Sequence, residues 1–153
     1  MQREDLPAFF AFEADPESSV LAGVKPRDYD AFLTHWEKIT ADDTVVERVI
    51  VAGGIVAGRV TCFESDGQAE LGYWIGRKHW GMGIASRGVG MFLDHEPRRP
   101  IHAHVSIENP ASIRVLERLG FVRTGQSDEP ETERFMAGTV LAYRLGAHPV
   151  PNA

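Results

Sequence analysis

Two glycines, Gly81 and Gly83, stand where a strand-like run, QAELGYWIG, hands over to a helix-like one. A turn of this kind leaves backbone N–H groups unpaired and aims the positive end of a helix dipole in the same direction, an arrangement that holds phosphate. Glycine suits it because a side chain would keep a phosphate off the backbone, and Arg77, Lys78 and Arg87 add positive charge nearby. The plain alternative is a tight strand-to-helix turn without a ligand. Read as G-x-G-x-x-S, Gly81 to Ser86 also fits a degenerate dinucleotide-binding fingerprint, with Glu108 near the acidic position. That reading fails on context. Such a fingerprint follows the first strand of several βαβ units, whereas three strand-like runs precede this one and fewer than 50 residues follow Glu108.

Other reactive side chains are sparse. In IHAHVSI, Ile101, Ala103, Val105 and Ile107 face one way and His102, His104 and Ser106 the other. Two histidines on one strand face suggest a metal, but no Cys or nearby Asp completes a ligand set, so no metal is expected. The single Cys62 cannot close an intrachain disulfide and has no base beside it in sequence, so it reads as a small apolar residue. Asn109, just before Pro110, is suited to cap a helix.

The hydrophobic periods describe what must position these groups. Leu6, Phe9, Phe10 and Glu13 are in helical register from Leu6 to about Ala14. Tyr29, Phe32, Leu33 and Trp36 are spaced i, i+3, i+4, i+7 within Pro26 to Ile39, whose proline suits a first turn. Asp15-Pro16 and Gly23 read as breaks between the two helices. From Thr44 the period becomes that of strands. TVVERVIVA, IVAGRVTCFE and QAELGYWIG are separated by Gly53-Gly54 and Ser65-Asp66-Gly67, strong hairpin signals, and form a three-stranded antiparallel meander. A helix from Gly83 to Glu96, the strand IHAHVSI, a helix from Pro110 to Leu119 and a last strand near TVLAYRL follow, with room for one more strand around Phe121 to Thr124. The class is α+β on a mixed sheet.

At 153 residues the chain reads as one domain, residues 1–147, with a Pro-rich C-terminal tail, 148–153. A net charge of −6 is the wrong sign for bulk attraction to nucleic acid or an anionic membrane, and no run approaches the ~18 apolar residues of a membrane span. Mixed charge at the N-terminus and a lone cysteine lead us to expect a soluble cytoplasmic protein. Residues 1–76 hold 6 basic and 14 acidic groups, residues 77–153 hold 10 and 8. The second half is thus the expected place for an anionic ligand, and the acidic first half hints at a cationic one.

Taken together, ELGYWIGRKHWGMGIAS and, further on, ENPASIRVLERLGFVRTG resemble the GNAT superfamily of acetyl-CoA-dependent N-acetyltransferases, most of all its ribosomal-protein N-terminal acetyltransferase branch. In that branch G-Y-W, W/Q-G-x-G and N-P-x-S-x-x-V/L-x-x-x-G-F recur in this order. The resemblance implies a mostly antiparallel central sheet flanked by helices, with a V-shaped split between two parallel strands that admits the pantetheine arm of acetyl-CoA, the co-substrate. Tyr73, Trp74 and Ile75 would bond the arm through their backbone. His79, Trp80, Gly81, Met82, Gly83, Ile84 and Ala85 would hold the pyrophosphate, and Asn109 and Ser112 would contact the cofactor.

Many members carry, seven residues after the Asn, a Tyr that protonates the leaving thiolate. Leu116 stands there in this chain, and Ser112 is the hydroxyl that the branch offers instead. The implied reaction moves an acetyl group to an amine, a protein N-terminus or a small molecule, by direct transfer in a ternary complex. An amine is mostly protonated at pH 7, so a base is needed, and Glu70, His104 and Glu108 are the candidates, with Glu70 favoured. Homodimers are common in the family. The alternative function is a non-catalytic CoA-binding or regulatory module of the same fold.

Overall fold

The structure, a computed structural model, describes residues 1–147; the expected tail at 148–153 lies outside the described residues. Helix α1 spans Leu6–Ala14 and α3 spans Tyr29–Ala41. α3 starts later than Pro26 because Asp28 caps it, its carboxylate accepting the Ala31 N–H at 2.8 Å. Between them lies a helix that the sequence reading treats as a break, α2, Pro16–Ala22. The residues read as breakers are its caps. Asp15 accepts the Ser18 N–H at 3.1 Å, Pro16 takes a first-turn position where no N–H is needed, and Gly23 ends the helix at φ 67°.

Strands β1 (Val46–Ala52), β2 (Ile55–Ser65) and β3 (Gln68–Ile75) form the expected meander. Helix α4 (Ile84–His95), β4 (Ile101–Ser106), α5 (Pro110–Arg118), β5 (Val122–Glu129) and β6 (Gly138–Leu145) complete the chain. The sheet order is β1-β2-β3-β4-β6-β5, antiparallel throughout except for β3 beside β4. This is the expected α+β class with a mixed, mostly antiparallel sheet. Among the described residues no helix is long and apolar enough to cross a membrane.

Each sheet face carries its own core. On one, α4 and α5 pack Val89, Phe92, Leu93 and Leu116 against Val60, Cys62, Leu71 and Ile101. On the other, α1 and α3 bury Leu6, Phe9 and Phe32 over Val49 and Val56.

The end of α4 is tied to the sheet by a buried ion pair. Glu96, 3 % exposed, receives the Arg98 side chain at 2.7 and 2.9 Å and the Arg98 N–H at 3.0 Å, while Arg98 also donates to the Thr44 and Cys62 carbonyls. The bonds from Arg98 hold the Glu96 carboxyl below its ordinary range, against the opposing effect of burial. A depressed folded pKa stabilises above the unfolded value near 4.3, and that contribution fades as pH falls through the folded value. Glu96→Gln is therefore expected to cost about 2 kcal/mol at pH 7, lowering Tm by roughly 4–8 °C, and to flatten the acid limb of stability against pH. Thermal melts from pH 3 to pH 7 check both outcomes.

Candidate active site

β3 and β4 pair only at Ala69↔Ile101 and Glu70↔His102. Past that point β2 keeps hold of β3 as far as Gly58↔Ile75, and β6 keeps hold of β4 as far as Ser106↔Val140, so the two strands part. A side chain at Gly58 would collide with the Trp74 carbonyl, so glycine there lets β3 run close to β2 and away from β4. Over the opening lies a cleft of about 370 Å³. Its walls are Tyr73, Trp74 and Ile75 of β3, His79, Trp80, Gly81 and Gly83 of the turn, Ile84 and Ala85 of α4, and Asn109 and Ser112 at the start of α5. The structure brings together every residue expected at the cofactor except Met82, which is 59 % exposed and outside the cleft. A larger groove of about 670 Å³ between β1 and α4 contains only Ile84 of this set.

The turn is shaped by Gly81 and Gly83, at φ 74° and 72°, with Gly83 as the N-cap of α4. A Cβ at either glycine would meet no atom within 4 Å, so the backbone faces open space. The Trp80 indole donates to the Ile75 carbonyl at 2.9 Å and folds the turn over the strand end. Arg77 does not join this cradle. Its guanidinium turns to α2, at 3.0 Å from Asp15 and 2.6 Å from Glu17. Arg114 and Arg118, which sequence reasoning passed over, line the cleft instead. Their signal was present: Ala111, Arg114, Val115 and Arg118 share one face of α5.

Asn109 both lines the cleft and caps α5, accepting the Ser112 N–H at 3.1 Å. The Ser112 hydroxyl is hydrogen-bonded to the Tyr73 hydroxyl, which also lies 3.2 Å from the Ser112 carbonyl. Burial pushes the Tyr73 phenol up to about 12, the bond with Ser112 offsetting only part of this, so it stays protonated.

On the opposite face of β3, Glu70 sits at the last paired position. His104 Nδ1 is 3.2 Å from its Oε1. Two of the three candidate bases thus come together where the strands part. Glu108 lies apart from them, in the exposed turn after β4, where its N–H bonds the Ser106 hydroxyl.

Comparison with known proteins matches residues 1–122 to the family described as "Acetyltransferase (GNAT) domain". An uncharacterized N-acetyltransferase, p20, of Bacillus licheniformis is 39% identical over 66 residues, 40% of this chain and 37% of that protein, so the chain matches little more than a third of its length. Spermidine N-acetyltransferase from Vibrio cholerae, solved with CoA and spermine, superposes with a TM-score of 0.80 at 22% identity, over 95% of this chain and 92% of that one. The ribosomal L7/L12 alpha-N-protein acetyltransferase RimL, solved with CoA, does so at 0.78 and 17%, over 96% and 91%.

Valine at position 83 would place a branched side chain on a left-handed backbone and over the open turn. Gly83→Val is expected to weaken CoA binding about tenfold or more. Calorimetric titration measures this, with circular dichroism verifying that the variant is folded.

Proposed function

The chain belongs to the GNAT acetyltransferase family, and we propose that it transfers an acetyl group from acetyl-CoA to an amine by direct attack in a ternary complex. The observation that carries the proposal is the parting of β3 and β4 immediately after Glu70↔His102, with a cleft over the opening and the Glu70–His104 pair where the strands part. The relatives named for spermidine and for a ribosomal protein share only an amine as acceptor, and that shared chemistry is what we carry over.

The residues present suit the co-substrate, whose thioester supplies the acetyl group. Open backbone at Gly81 and Gly83, with Arg114 and Arg118 in the same cleft, suits phosphates. The β4-side edge of Tyr73, Trp74 and Ile75 suits an arm that bonds backbone.

Glu70 and His104 act as the base. With the carboxylate accepting the Nδ1 proton, His104 Nε2 is left to take the proton of the amine, directly or through a water. Ser112, steadied by the Tyr73 hydroxyl, donates a hydrogen bond where negative charge gathers on the leaving sulfur. Cys62 stays out of the chemistry. It is fully buried and its thiol is pushed up to about 11 by burial, so no thiolate is available to carry an acetyl group.

Glu70→Gln keeps size and hydrogen-bonding capacity but cannot hold the imidazolium. Its kcat is expected to fall about 10²-fold near neutral pH and to recover partly at high pH, where free amine is abundant. Steady-state rates across pH for both Glu70→Gln and His104→Gln check this; rates equal to wild type at every pH would remove the pair from the mechanism. Ser112→Ala is expected to lower kcat by roughly tenfold while leaving CoA affinity within about twofold, because its bond strengthens only as charge develops. If CoA binds and no amine in a mixed library is acetylated, detected by mass spectrometry, the non-catalytic module is the correct reading.

A further inference from the structure

We infer that the acceptor carries a carboxylate, received by a cluster of three arginines beside Trp74 that the protein's own acids leave under-neutralised. The inference names the acceptor class for the acetyltransferase reading above and rests on it.

Glu13 of α1 is 2 % exposed, and three guanidiniums converge on it from three parts of the chain. Arg59 of β2 is at 2.5 Å, Arg27 of the α2–α3 connection at 3.3 Å and Arg134 of the β5–β6 connection at 3.5 Å. Arg59 also binds Glu47 of β1 at 2.9 Å, and Arg134 also donates to the Lys25 carbonyl. Three cations therefore face two carboxylates, with no side chain in the group more than 24% exposed. Two of the three contacts to Glu13 are long, and a guanidinium has five N–H donors, so Arg27 and Arg134 keep donor capacity for another anion.

At two of the surrounding groups the neighbouring cations add to the effect of burial. His35 is pushed down to about 4 by burial and then by Arg27 and Arg59, so it is neutral. Arg134 is lowered from its ordinary value by burial and then by Arg27. Glu47 moves the other way for a carboxylate near cations: burial raises its pKa, against the lowering effect of Arg59.

The location is that of an acceptor. Arg59 is directly across from Trp74 in the β2–β3 register, so the two side chains share the face that also presents Glu70. Lys25 N–H bonds the Arg134 carbonyl at 2.7 Å and Val24 bridges Phe135, so the two connections that bring Arg27 and Arg134 are fastened together. Glu70 and Trp74 are four residues apart, about 13 Å along a strand, a span that an amine and a carboxylate at the ends of an extended tetrapeptide-sized acceptor can bridge. The −8 charge of residues 1–76 points to a cationic acceptor; beside Trp74 the buried charge has the opposite sign.

The test uses the whole protein and tetrapeptide acceptors in matched forms: free C-terminal acid, C-terminal amide, and amide with an acidic fourth side chain. Wild type is expected to prefer a carboxylated form by about tenfold or more in kcat/KM, and the arm that responds tells a terminal carboxylate from a side-chain one. In Arg134→Gln and Arg27→Gln the preference should shrink to within about threefold through a raised KM, and Arg134→Lys should restore part of it. In parallel, millimolar glutarate should raise the Tm of wild type and not that of the two Gln variants. Equal use of acid and amide by wild type, or a preference that survives in both Gln variants, overturns the inference and leaves the arginines as fasteners of the two connections. If no acceptor is acetylated, the glutarate arm still decides: a Tm rise lost in the variants keeps the anion site while the transferase reading falls, and no rise in wild type overturns the anion site.

Discussion

Everything at this site depends on two neighbouring parallel strands being prevented from pairing to their ends. Backbone N–H and C=O groups demand partners, and in a closed ladder those of Tyr73, Trp74 and Ile75 would be consumed by β4. Here β2 and β6 hold β3 and β4 from the outside for longer than the two hold each other, and the sheet opens after Glu70↔His102. An unpaired buried backbone group costs about 1–3 kcal/mol, so such an opening persists only if it is shallow, wet or served by other donors. The Trp80 indole serves the Ile75 carbonyl. The remaining edge is what a ligand with amide groups of its own can complete.

The period of two along a strand then separates two kinds of chemistry. Tyr73 points to the side of α5, where it meets Ser112, while Glu70 and Trp74 lie on the other face with His104 and Arg59. A group that loses a thiolate and a group that loses a proton are thereby kept on opposite sides of one strand. Neither set needs a mobile element to assemble it. The positions follow from the register of β3 with its neighbours, and a slip by one residue would exchange the two faces.

What the sequence revealed is what local chemistry encodes. The hairpin glycines, the Gly81–Gly83 turn, the Asn109 cap and the alternation in IHAHVSI each act within a few residues, and each appears where the spacing requires it. α2 was hidden because its caps are the same residue types that end helices, and seven residues between them carry too little periodicity to overrule that reading. Arg77 faces away from the Gly81–Gly83 turn because Asp15 and Glu17, some sixty residues away, offer it two carboxylates. Glu70 with His104, Tyr73 with Ser112 and the group around Glu13 are products of sheet order and helix docking. No pattern in one dimension announces them.

The net charge of the first half and the buried charge beside Trp74 differ in sign. Most of the acids that make the first half negative are exposed, and a charge in water is screened beyond about 8 Å at physiological salt. Arg27, Arg59 and Arg134 are no more than 24% exposed and Arg59 is directly across from Trp74, so their charge is screened less than that of the surface acids. The inferred acceptor site rests on those less screened charges and not on the distant, solvated ones. The same three residues also join α1, β2 and the two fastened connections. Because Glu13 is the single buried anion on which all three converge, the charge that stitches this side of the molecule together and the charge left over for an acceptor are set by one carboxylate, and a change at Glu13 would alter both at once.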